Sequence, residues 1–308
     1  MRALLAAATA LFPLAAPAQP EDLLPAPAEV RVLPAGRHPH MFQTRRFVIA
    51  SDAPLKRADV ERFSQVVDTV PLALARLPLP LLAPPDAAPP LIEVLADAPY
   101  EEAAGRDGSS GFYDSRTARL LVRRSLLLQP PQARAGRLAP APDQDLLVHE
   151  LTHLCMHRYL GRTPQWFAEG ACEYLACLHQ ADGRFSFRDV DAAIRIHLRQ
   201  RYRADDPTVQ LTPPLALAGL SGPAWLKLVS RLPPEHRYRP YATSLLLFHY
   251  HLHGGESRRA DLHARLAAAL EAPRPRLQWL DAAALPALQQ ALARYWQPRG
   301  LHLRFTPG

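Results

Sequence analysis

The sequence predicts an α+β protein, with a mixed sheet and helices in the N-terminal part and a mainly helical C-terminal part. Three observations carry that expectation. Short apolar runs alternate with a helical pattern over roughly the first 140 residues. From Asp143 onward apolar residues recur at helical spacing. Proline and glycine clusters punctuate both stretches. A chain of 308 residues is long enough to bury a sizeable core, as one large domain or two modest ones.

Residues 1–18 have the layout of a secretory signal peptide. Met1-Arg2 is a basic start, Ala3 to Ala16 is an apolar run, and Ala16-Pro17-Ala18 offers small residues for cleavage before Gln19. The run is shorter than the ~20 apolar residues a membrane span requires, and no other stretch reaches that length. The expected mature chain is therefore exported, periplasmic or extracellular, with no transmembrane segment. Residues 19–40 are Pro-rich and lack periodicity, and read as a leader.

Residues 41–142 form the expected α/β part. Phe47-Val48-Ile49-Ala50 reads as a strand. Arg57 to Leu77 reads as a helix with apolar positions at Val60, Phe63, Val66, Val67 and Val70. Leu91 to Leu95 and Leu120 to Val122 read as strands, and Gly111-Phe112-Tyr113-Asp114 as the hairpin partner of the last. Residues 143–308 form the helical part. Asp143 caps a helix that stops at Gly161, and Thr163-Pro164 supplies a cap and first-turn proline for the next, which runs to about His179. Further helices fit Asp189–Tyr202, Pro223–Arg231, Pro240–His253, Ser257–Leu270 and Asp281–Trp296, with Gly254-Gly255 closing one of them.

The net charge is +7 and the pI about 9.7. The cations are nearly all arginines, scattered without a block or interleaved aromatics, and the only lysines are Lys56 and Lys227. That is a general arginine bias and not a nucleic-acid interface. Cys155, Cys172 and Cys177 are too few for a disulfide scaffold. Cys172 and Cys177 fall on one helix about 8 Å apart, beyond bridging distance, so buried free thiols are expected.

His149-Glu150-Leu151-Thr152-His153 is an H-E-x-x-H motif. On a helix, residues i and i+4 share a face, so both imidazoles can reach one ion, and Glu150 stands beside it where it can reach a metal-bound water. Helical phase supports this. With His149 at 0° and ~100° per residue, His153 falls near 40°, while Leu147, Val148, Leu151, Leu154 and Cys155 fall between about 140° and 260°. The apolar stripe thus opposes the two histidines. His157, one turn further, reads as a neighbour of the site, since a fourth protein ligand would close it. His249, His251 and His253 alternate along one helix and are read as lying on different faces, without forming a chelate.

Downstream stands Gln165-Trp166-Phe167-Ala168-Glu169-Gly170, followed by Glu173-Tyr174. An H-E-x-x-H, a gap of fifteen residues between His153 and Glu169, and Trp-Phe-Ala-Glu-Gly resemble the gluzincin metallopeptidases, in particular their peptidase-MA-like proteins. The resemblance implies that Glu169 is the third ligand of one zinc ion and that Glu173 steadies a ligand histidine from behind. It implies that Tyr241 donates to the oxyanion. It also implies that Gly111, Phe112 and Tyr113 form an edge strand on which a peptide or protein substrate lies. The Gly-Ala-Met-Glu-Asn segment of the related aminopeptidases is absent.

The expected function is an exported zinc-dependent peptidase, with Glu150 as general base, that binds no nucleic acid. Two alternatives stay open on sequence: a non-catalytic zinc-fold binding module of the cell envelope, and a zinc hydrolase of non-peptide amides or esters.

Overall fold

Leu91-Ile92-Glu93-Val94-Leu95 carries apolar residues at four of five positions and is buried on both faces, as suits a central strand. In the structure, a computed structural model, it is the middle of a six-stranded mixed sheet. The structure describes residues 22–82, 88–105, 111–125, 133–134, 137–138, 142–202, 207–272 and 277–306. The expected signal segment lies outside them.

The N-terminal elements are β1 (Arg31–Leu33), β2 (His40–Gln43), β3 (Val48–Ser51), α1 (Arg57–Arg76), β4 (Leu91–Leu95), α2 (Asp97–Ala104), β5 (Gly111–Asp114) and β6 (Arg119–Arg123). The sheet order is β1-β2-β3-β4-β6-β5. Strands β3, β4 and β6 run parallel, while β1, β2 and β5 pair antiparallel with their neighbours. The expected edge strand is therefore present. Glu93, buried in the centre of β4, is neutralised by Arg119 at 2.6 Å and His38 at 2.8 Å, so its charge is not stranded.

A two-residue ladder, β7 (Ala133–Arg134) with β8 (Arg137–Leu138), precedes the helical part. There follow α3 (Pro142–Cys155), α4 (Gln165–Leu178), β9 (His179–Ala181), β10 (Arg184–Phe185), α5 (Val190–Tyr202), β11 (Thr208–Leu211), α6 (Pro214–Leu217), α7 (Gly222–Arg231), α8 (Arg239–His253), α9 (Glu256–Glu271), α10 (Leu285–Trp296) and β12 (His302–Phe305). One buried apolar cluster runs through both parts, from Ile49 and Ile92 in the sheet through Leu151 and Phe167 to Phe248 and Leu292.

Four expectations need correction. Residues 22–40 are not a detached leader. Leu23 bridges to Phe185, the Ala26 N–H donates to Thr69 Oγ1 at 2.7 Å, and β1 extends the sheet. Proline excludes periodicity but not docking, and that is why composition misled. The helix that carries His149-Glu150-Leu151-Thr152-His153 ends at Cys155 and continues to Tyr159 only as a 3-10 turn, before Gly161 takes a left-handed φ of 77°. Thr163 does not cap the next helix: its hydroxyl donates back to the Tyr159 carbonyl at 3.2 Å. His249 and His253, four residues apart, share a face, and their rings lie 4.5 Å apart. In addition, β11 and β12 form a parallel pair inside the part expected to be helical. No described helix is long and apolar enough to cross a membrane.

Candidate metal centre

Helix α3 is oriented by its apolar back. Leu147, Val148, Leu151 and Leu154 are buried in the core, which turns His149 and His153 toward α4 with their rings 5.0 Å apart. The turn at Gly161 returns the chain so that α4 packs on α3. Helix α4 is buried along almost its whole length: apart from the stripe Gln165, Glu169 and Glu173, which faces the histidines, it is almost wholly apolar. It is pressed against α8 at Gly170, where an added Cβ would fall 2.4 Å from the Ser244 carbonyl oxygen.

This packing brings Glu169 onto the two histidines. Its Oε2 lies 3.2 Å from His149 Nε2 and 3.6 Å from His153 Nε2. That oxygen is buried and no donor meets it in hydrogen-bond geometry. The other oxygen, Oε1, accepts from Gln165 Nε2 at 2.7 Å. Glu173, one turn on, places Oε1 3.1 Å from His149 Nδ1 and Oε2 2.8 Å from His197 Nε2. Burial lowers the His149 imidazole, but Glu169 and Glu173 outweigh it and carry its pKa up to about 10. Burial likewise raises the Glu169 carboxyl, yet the imidazoles of His153 and His149 hold it well below the usual carboxylate range.

His149, His153 and Cys172 form a buried group whose ligand atoms all lie within 4.8 Å of one another, and which could hold a metal ion. Cys172 was not singled out in the sequence as part of a site. The signal was there, since three residues from Glu169 is the same helix face. Burial, followed by the charges of Glu169, Glu150 and Glu173, pushes its thiol well above the usual range.

Strand β5 forms the opposite wall. The Tyr113 N–H donates to Glu150 Oε2 at 2.9 Å. The Tyr113 ring stacks on His153, centroids 6.0 Å apart and 17° from parallel, and its hydroxyl pairs with His157 Nδ1. Burial, then the Asp114 charge, keeps that phenol above its ordinary pKa. Tyr241, in the first turn of α8, sets its ring 6.4 Å from that of His149 and edge-on to Trp225 at 5.4 Å. Its phenol is also raised, by burial first and then by Glu169. Gly111, Phe112, Tyr113, Glu150 and Tyr241, together with the two histidines, line one cleft of about 840 Å³. The structure thus gathers every site residue expected from sequence. It adds Cys172 as a neighbour and His197 behind Glu173.

No protein-family model, curated protein or solved structure matches the chain.

Proposed function

We propose that the chain is a zinc-dependent peptidase of gluzincin type, with the ion held by His149, His153 and Glu169. One observation carries the reading: two imidazole nitrogens and a carboxylate oxygen that receives no hydrogen bond converge at 3.2 and 3.6 Å. Two atoms each ~2.1 Å from a tetrahedral ion stand about 3.4 Å apart, so the three fit zinc with small adjustments. When bound, the ion supplies Lewis acidity, acidifying a water ligand and polarising a carbonyl.

The remaining chemistry belongs to the chain. Tyr113 N–H holds one oxygen of Glu150, leaving the other free to take a proton from the attacking water and return it to the leaving amine. In an antiparallel pair the outward N–H and C=O groups alternate. Since Tyr113 N–H points away from β6 and is taken by Glu150, the outward groups of β5 left for an extended peptide are the N–H and C=O of Gly111 and the C=O of Tyr113. The raised Tyr241 phenol stays protonated and can donate to the developing oxyanion. Residues 1–18 support an exported location.

The test pairs metal analysis of the purified protein with cleavage of a broad peptide library by wild type and Glu150→Gln. One zinc per chain and chelator-sensitive cleavage lost in the variant is the expected result. A loaded protein that cleaves no peptide would favour the non-peptide hydrolase. A second reading, a closed His-His-Cys-Glu site in a binding module, rests on the closeness of Cys172. Thiolate charge-transfer absorption on cobalt loading would favour it.

A further inference from the structure

Helix α5 runs behind the metal centre with Ile194 and Leu198 buried in the core. Between them His197 is buried too, and it reaches across to the far oxygen of Glu173 at 2.8 Å. Glu173 is 1% exposed. A carboxylate removed from water to that extent needs donors on both oxygens. His149 Nδ1 at 3.1 Å stands at one and His197 Nε2 at the other. The three residues form a continuous line, His149–Glu173–His197, running from the cleft into the helical part.

We infer that His197 is a positioning residue: it fixes Glu173 so that Glu173 orients His149 as a metal ligand. The inference rests on the zinc reading above. His149 Nδ1 lies 3.1 Å from Glu173 Oε1 without meeting it in hydrogen-bond geometry; a ring whose Nδ1–H turns onto that carboxylate presents its Nε2 lone pair, the atom that faces Glu169 and His153. That commitment is only as firm as the carboxylate. The terminal torsions of a glutamate are broad, and a contact at Oε2 narrows them where a contact at Oε1 alone does not. Held at both, its plane is set, and so is the His149 ring. The device ties ligand geometry to the seating of α5, an element that contributes no metal ligand.

The test measures zinc Kd by competition with a chromophoric chelator, on wild type, Glu173→Gln, His197→Phe, His197→Gln and the Glu173→Gln/His197→Phe double variant. Melting of the metal-free forms is followed in parallel. Losing such an outer partner weakens metal binding roughly 10–100-fold. Glu173→Gln and His197→Phe should each show that loss. His197→Gln, which keeps a donor, should stay within about threefold of wild type, and the double variant should bind no more weakly than Glu173→Gln alone. Wild-type affinity in His197→Phe, or losses that add in the double variant, would overturn the inference and leave the zinc reading standing. A wild type that takes up no metal would overturn both. Should His197→Phe fail to fold, imidazole ¹H–¹⁵N spectra of the zinc-loaded protein decide. The His149 and His197 N–H signals should both be lost or shifted in Glu173→Gln. A His197 signal that stays unchanged there would refute the relay.

Discussion

The backbone N–H of Tyr113 donates to Oε2 of Glu150 across 2.9 Å, so the edge strand and the proposed base are fixed to each other before any substrate arrives. Glu150→Gln keeps an oxygen to accept that bond but cannot take a proton. Metal content and melting temperature should match wild type, while hydrolysis falls by at least ~10²-fold. Full activity in the variant would remove Glu150 from the chemistry.

Metal uptake should expel a proton. With its pKa near 10, His149 is protonated at neutral pH in the metal-free protein, and a ligand nitrogen must be bare. Below that pKa, affinity should rise about tenfold per pH unit, with one proton released per ion. Calorimetry in buffers of different ionisation heat reads this directly. The sign for stability is opposite. A folded pKa raised above the ordinary 6.5 stabilises the metal-free fold fully below that value, and the stabilisation fades as pH climbs through about 10. Urea melts of chelated protein at pH 6 and pH 10 should therefore differ, with the higher pH weaker.

Glu169→Gln should weaken zinc binding by two or more orders of magnitude, whereas Cys172→Ser should leave it nearly unchanged. The buried thiol beside Glu169 is held protonated and makes a poor ligand. Cobalt spectra without a thiolate band in wild type are the expected companion result; a strong band abolished in Cys172→Ser would reverse the assignment.

Tyr241→Phe removes one hydroxyl from the cleft wall and leaves the ring edge against Trp225 in place. If the phenol meets the oxyanion, kcat should drop roughly 10²–10³-fold with KM little altered. An unaltered kcat would make Tyr241 a packing residue only.

Gly170→Ala puts a methyl 2.4 Å from the Ser244 carbonyl oxygen and 2.7 Å from Phe248 Cβ, both on α8. Neither atom belongs to a flexible chain end, so the helices must separate. Destabilisation of about 3 kcal/mol by denaturant melts is expected. Catalysis should suffer as well, because Glu169 and Tyr241 ride on the two helices being wedged apart.

The sheet strands β4 and β5 and helix α1 were legible because their patterns are local: a five-residue run with four apolar members, a bounded Gly-Phe-Tyr-Asp segment, a 3.6-residue stripe. His149, His153 and Glu150 were legible for the same reason, as one turn of one helix. What escaped depends on partners distant in sequence. Nothing near Arg31 marks it as a strand; it becomes one by meeting Gln43. Nothing near His197 points to Glu173, 24 residues earlier on another helix. Strand β11 owes its form to β12, with Thr208 paired to His302. His249 and His253 were misjudged although local, because counting in twos hid their separation of four.

That parallel ladder also sets an order of events. Arg239, at the start of the helix that carries Tyr241, donates from Nη1 to Thr306 Oγ1 at 3.0 Å and from Nη2 to Gln210. Its guanidinium is therefore seated between a strand made early and one made some ninety residues later. During synthesis the earlier strand cannot form this ladder until Phe305 has left the ribosome. The chain can assemble its sheet and bring the two histidines close while still growing, but α8 lacks that anchor until β12 is added. A nascent chain arrested short of β12 would present the proposed metal ligands without a settled cleft wall.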